Sequence, residues 1–171
     1  MTNDVSTRVK RILILAVLTL LVAGVGDAAQ TAFPVPVDYA QSLDAMVRAG
    51  RYDYVDSDIT EKHFPVMSGP QNVSIELVHF DRVMSSDDVF SELDRKGFRP
   101  ATLPEILSFG AKYPEKQREF PVVALGSVRR DGSGSREVPY LWSGAVGRGL
   151  SLDWLVGRWG SYYRFAAVRK G

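Results

Sequence analysis

The stretch LDWLVGRWGSYYRFAAVRKG (residues 152–171) closes the chain, with two of its three tryptophans, two tyrosines, a phenylalanine and three arginines. Chain ends are usually polar and frayed. β-branched and aromatic residues are what a strand selects, so YYRFAAV reads as a closing strand. Tyr163, Phe165 and Ala167 then share one face, opposite Tyr162, Arg164 and Ala166. Just upstream, LSLDWL alternates in the same way. Leu150, Leu152 and Trp154 face one side, and Ser151, Asp153 and Leu155 the other. Further back, FPVVALGSV and VPYLW read as strands, with RRDGSGSR, SGAVGRG and GRWGS as connections. Residues 120–171 therefore predict an antiparallel β-meander of about four strands.

The preceding part reads mainly as helices. FPVPVDY predicts an extended strand whose prolines belong at a sheet edge. Ser42 precedes LDAMVRAG, where Leu43, Met46 and Val47 fall at helical spacing and Gly50 supplies a stop. RYDYVDSDITEKHFP reads as a loop with one helical turn near Thr60, and MSGPQN as a turn. VSIELVHF alternates as a strand. SSDDVFSELDRKG has Ser85 or Ser86 as N-cap, acids in its first turn, bases in its last and Gly97 beyond. PATLPEILSFG places Thr102 and Glu105 at capping-box spacing, ahead of an apolar face of Leu103, Ile106 and Leu107. Short helices followed by a meander make an α+β class, and residues 30–171 suit one domain.

Residues 1–29 predict a leader. Arg8, Lys10 and Arg11 form a basic start, residues 12–25 are an apolar run broken only by Thr19, and Gly26, Ala28 and Ala29 are small. This is the pattern of a signal peptide cleaved near Ala28 or Ala29. The run falls short of the about 20 residues that span a bilayer comfortably, and the alternative is an uncleaved N-terminal anchor. Either form exports the domain, to the periplasm or the exterior, and gives it membrane contact only through that segment.

The absence of cysteine excludes disulfides, thiolate metal sites and a cysteine nucleophile. Charge is uneven along the chain. Residues 30–128 hold 10 basic and 15 acidic side chains, and residues 129–171 hold 8 and 3. Two halves that fold together and neutralise each other account for this, as does a cationic face toward an anionic partner. Neither a basic cluster nor a nucleic-acid motif occurs.

No catalytic signature is legible. His79 continues the phase of Val73, Ile75 and Leu77, which predicts a hydrogen-bonded core histidine. His63 lies in a loop beside Phe64 and Pro65, with nothing nearby that completes a site. Asp53, Asp56 and Asp58 in DYVDSD lack EF-hand spacing and suit Asx-turns and caps. Gly144, Gly147 and Gly149 have the wrong order for a dinucleotide loop, Ser133 stands outside any nucleophile elbow, and HExxH is absent. No cofactor or metal is expected. The remaining signal is aromatic. Trp142, Arg148, Arg158, Trp159 and Tyr162 are assigned to loops at the sheet's end, where Trp, Tyr and Arg give large contact area at low entropic cost.

The succession FRPATLPEILSFG, FPVVALGSV, VPYL, LSLDW and YYRFAAVRK, with VDYAQSLDAMVRAGRYDYVDSDITEKHFP, resembles a group of short bacterial proteins from uncultivated lineages. The likeness covers about residues 36–170 and carries no assigned activity. More remotely, the order is similar to the C-type-lectin-like fold of formylglycine-generating enzymes and of the variable proteins of diversity-generating retroelements. Arg99, Thr102 and Glu105 match the helix opening, and Trp154, Trp159, Arg164 and Phe165 the Trp-rich stretch and last strand. The formylglycine-generating activity runs on cysteines and does not carry over. The calcium-lectin triplets Glu-Pro-Asn, Gln-Pro-Asp and Trp-Asn-Asp are absent too. The resemblance implies a scaffold displaying side chains between VPYL and RFAAV, the region diversified in retroelement proteins. The expectation is an exported, non-enzymatic domain that binds a protein or glycan, an anionic one included. The alternative is a small hydrolase or lyase using His63 or His79 with an aspartate.

Overall fold

The computed structural model describes residues 32–65 and 68–171. The expected leader and Met67 of the MSGPQN turn lie outside them. The chain begins with β1 (Ala32–Pro36), α1 (Leu43–Gly50), β2 (Tyr54–Val55), β3 (Asn72–His79) and β4 (Met84–Ser85). Then come α2 (Ser86–Arg95), β5 (Phe98–Pro100), α3 (Leu103–Lys112), α4 (Lys116–Glu119), β6 (Val122–Val123) and β7 (Arg129–Arg130). The last elements are β8 (Arg136–Gly144), β9 (Gly147–Trp154), β10 (Arg158–Trp159) and β11 (Arg164–Arg169).

Side-chain caps start the three longer helices. The Ser42 hydroxyl accepts the Ala45 N–H in α1. In α2, Ser85 and Asp88 form a reciprocal capping box, and the Ser85 bonds hold the Asp88 carboxyl below its usual range. Ahead of α3, the buried Glu105 carboxylate accepts the Thr102 N–H at 2.8 Å and both Arg99 Nη atoms at 2.7 and 3.0 Å. A planar guanidinium matches a carboxylate bidentately, so the trio Arg99, Thr102 and Glu105 clamps β5 to the start of α3. The α1 stop differs from expectation. Gly50 is still helical, and Arg51 takes the left-handed conformation at φ 49°. Gly50 is required for space instead, because a Cβ there would overlap the Tyr52 ring.

The large sheet runs β1-β3-β11-β6-β8-β9-β2, with β5 also on β11 and β7 on β8. The expected antiparallel meander is corrected here. β8 and β9 do form a hairpin, but β11 leaves β9 and inserts between β3 and β6, parallel to β6. The GRWGS segment is the reason. It forms β10, which pairs with β4 in a small second sheet and carries the chain away from β9. β2 also joins β9 in parallel. The architecture is thus α+β with a mixed sheet, and the proline-bearing β1 is its edge, as expected.

Alternation along β11 divides the interior in two. Ala166 and Val168 enter a core with Leu43, Leu103, Ile106, Leu107, Phe109 and Leu141 beneath α1 and α3. Phe165 and Ala167 enter another with Val89 and Leu93 of α2, Val123, Val138 and Trp159. Three ion pairs join the basic C-terminal part to acids of the body. Arg129 meets Asp58 at 2.9 Å, Arg169 meets Glu76 at 3.1 Å, and Lys170 bonds Asp94.

Replacing Glu105 by Ala leaves Arg99 and the Thr102 amide without their shared partner. Urea unfolding should show a loss of about 3 kcal/mol, the scale for breaking a buried charge pair. A change below about 1 kcal/mol, the scale of an ordinary surface ion pair, would contradict the clamp.

Candidate functional site

The two faces of the β8–β9 hairpin have different fates. Leu141 and Leu150 face each other across the ladder and point into the α1/α3 core. The alternate residues, Tyr140 opposite Ser151 and Trp142 opposite Gly149, share the other face with Asp153. On that side α2, β4 and β10 cover the region of β6 and β11. Toward β2 the sheet is open. Tyr54, opposite Gly149 on β2, is 48 % exposed, and Tyr140 and Trp142 are half-buried.

Glycine at 149 makes room for the indole. A Cβ there would overlap Trp142, so the Trp142 ring lies against the strand, and its Nε1–H donates to Ser151 Oγ at 2.8 Å. The Tyr54 ring stands 6.1 Å from it. At the other end, Tyr162 and Tyr163 stack at 4.6 Å and 30°, with Tyr162 61 % exposed. Asp153 lies on this same face. Its Oδ1 accepts the Trp154 N–H at 2.7 Å, and the Tyr163 hydroxyl approaches Oδ2 at 3.4 Å. Burial, with Asp153 adding to it, raises the Tyr140 and Tyr163 phenols above their ordinary value. Both therefore remain neutral O–H groups at physiological pH.

Of the five residues assigned to this surface, Trp142 and Tyr162 lie on the open face, Trp142 from a strand rather than a loop. Arg158 is exposed on β10 opposite Ser85, where its charge acts on Asp88. Two positions are corrected. Trp159 is 2 % exposed because β10 folds over the start of α2. Its Nε1–H donates to Ser86 Oγ at 2.8 Å, and its ring meets Tyr163 and Phe165 edge-on. Arg148 is 6 % exposed because SGAVGRG is a strand pair turning at residues 145–146, not a loop. Its guanidinium, on the opposite face, donates to the Gly50 and Gly110 carbonyls in the last turns of α1 and α3, and to Gln117 Oε1, at 2.8–2.9 Å. Helix C-termini favour a cation, so Arg148 is a buried tie. Burial lowers its pKa.

Of the residues on this face, sequence reading left out Tyr54 and Tyr140 and included Ser151, Asp153 and Tyr163 only within the stretch between VPYL and RFAAV. The alternation of LSLDWL and the i, i+2 spacing of Tyr140 and Trp142 carry that signal. Nothing in RYDYVDSD announces a two-residue parallel strand.

Each histidine bonds a backbone carbonyl. His79 is exposed and donates from Nε2 to the Ser161 carbonyl at 2.7 Å, which corrects its expected core role. His63 donates from Nδ1 to the Asp58 carbonyl at 2.9 Å and lines a cleft with Ser127 and Leu103. Asp58 meets Arg129 through Oδ2 at 2.9 Å and lies 3.6 Å from His63 Nδ1 through Oδ1, and Arg129 is itself held by Glu137 at 2.6 Å. Asp56 makes an Asx-turn to the Asp58 N–H, and Asp53 accepts the Arg148 N–H. No protein-family model, curated protein or solved structure matches the chain.

The two tryptophans should separate in denaturation experiments. Trp159→Ala removes an interior ring and should cost about 3–5 kcal/mol in urea unfolding. Trp142→Ala at the open face should cost about 1 kcal/mol. Equal losses would contradict the assignment of one ring to the core and the other to the surface.

Proposed function

We propose that this chain is an exported, non-enzymatic binding domain, C-type-lectin-like in architecture, that recognises a protein or glycan through its open sheet face. The observation that carries this reading is the row of rings on one sheet face, with Tyr54 and Tyr162 exposed and Trp142, Tyr140 and Tyr163 half-buried between them. Burying such rings against a partner gives apolar contact area with little side-chain entropy lost, and the phenol hydroxyls and Asp153 supply polar handles. The rings stand on paired strands rather than mobile loops, so less ordering is required on binding. Export rests on the basic and apolar leader of residues 1–29. A hydrolase or lyase centred on His63 has less support, because its Nδ1, 3.6 Å from the Asp58 carboxylate, is bonded to the Asp58 carbonyl, and that carboxylate also pairs with Arg129.

The test is a glycan and peptide array probed with wild type and with the Tyr54→Ala, Trp142→Ala double variant. Loss of two central rings should weaken binding about 30-fold, the scale of a truncated hot spot. Undiminished binding by the double variant, or no binding by the wild type, would refute the reading.

A further inference from the structure

The open face carries a formal charge that the protein does not neutralise. Among the described residues, no Lys, Arg or His nitrogen lies within ion-pair distance of the Asp153 carboxylate. The rings tell the same story. Elsewhere the protein covers aromatic faces with its own cations. Arg148 lies over Tyr52 at 5.1 Å, Arg164 over Phe120 at 4.6 Å and Arg169 over Phe98 at 4.6 Å. Lys112 and Lys116 similarly approach Tyr113 and Phe33. Among the described residues, none of these pairs involves Tyr54, Tyr140, Trp142, Tyr162 or Tyr163.

Aromatic faces carry negative quadrupole potential and attract guanidinium and ammonium groups, Trp most strongly. A carboxylate beside them adds to that attraction. We propose that the face takes a guanidinium or ammonium side chain of a basic peptide segment, laid over Trp142 and Tyr140 with Asp153 as its counter-ion. This rests on the reading of the face as the recognition surface and reverses the anionic ligand suggested by the basic tail. The face is broad and open rather than a pocket, which suits an extended segment that presents its cation while its backbone meets the flanking phenols. A lone small ion would find little enclosure there.

The experiment is an NMR titration of the folded domain that follows the indole N–H signals of Trp142 and Trp159. The probes are acetyl-Gly-Arg-Gly-Arg-Gly-amide, its neutral citrulline counterpart, tetramethylammonium chloride and maltohexaose. The arginine peptide should shift the Trp142 signal saturably, leave Trp159 in place, and bind at least about tenfold more tightly than the citrulline peptide, equivalent to about 1.4 kcal/mol. Asp153→Asn keeps the acceptor for the Trp154 amide, and its folding is checked from the same spectra. It should abolish the preference for arginine. Equal binding of the two peptides, an unchanged preference in Asp153→Asn, or no Trp142 shift with the arginine peptide would overturn the cation. Tetramethylammonium binding as tightly as the peptide would overturn the peptide segment. A Trp142 shift with maltohexaose or the citrulline peptide in any of those cases leaves the recognition face standing. Peptide affinity unaltered by Trp142→Ala would remove both.

Discussion

Phe165, Ala166, Ala167 and Val168 are buried on both sides of the sheet, and β11 is paired along both edges. One edge meets β3. The other is shared between β6 at its start and β5 toward its end. Neither core can close until these last residues are in place, because each takes alternate side chains from the same strand. The C-terminal stretch is therefore the centre of the described fold. The long sequence separation between β11 and its partner strands also makes folding depend on late, non-local pairing.

The path that brings β11 to the centre also creates the open face. After β9 the chain crosses to β4 as β10 and returns, and Trp159 seals the core beneath α2 as it does so. The covering elements stay over β6, β11 and the Val138 end of β8, and Tyr54 of β2 remains exposed. Gly149 completes the arrangement, since only a residue without a side chain leaves room for the Trp142 indole to bond Ser151. The residues that bind the fold together and those left on the open face thus alternate along the same strands.

Local rules carried much of the fold. Ser42, Ser85 and the Thr102–Glu105 spacing marked helix starts, and the alternation of LSLDWL and RFAAV named the faces correctly. Strand order was beyond them, because pairing β10 with β4 depends on residues far apart in sequence. The same blindness explains the site. Trp159 and Arg148 have the composition of a binding surface, but the partners that bury them, Ser86 and the Gly50 and Gly110 carbonyls, are distant in the chain. His79 kept the phase of an apolar strand yet fell near its end, where Ser161 supplied a partner at the surface. The uneven charge left internal neutralisation and an anionic partner both open, because the pairs of Arg129, Arg169 and Lys170 with acids of the body could not be read from position.

Native-state hydrogen exchange tests the central role of the last strand most directly. The backbone amides of Phe165–Val168 should exchange only through global unfolding, with a protection free energy equal to that from urea denaturation. Exchange of these amides as fast as a fraying chain end, while β8 and β9 stay protected, would contradict the account.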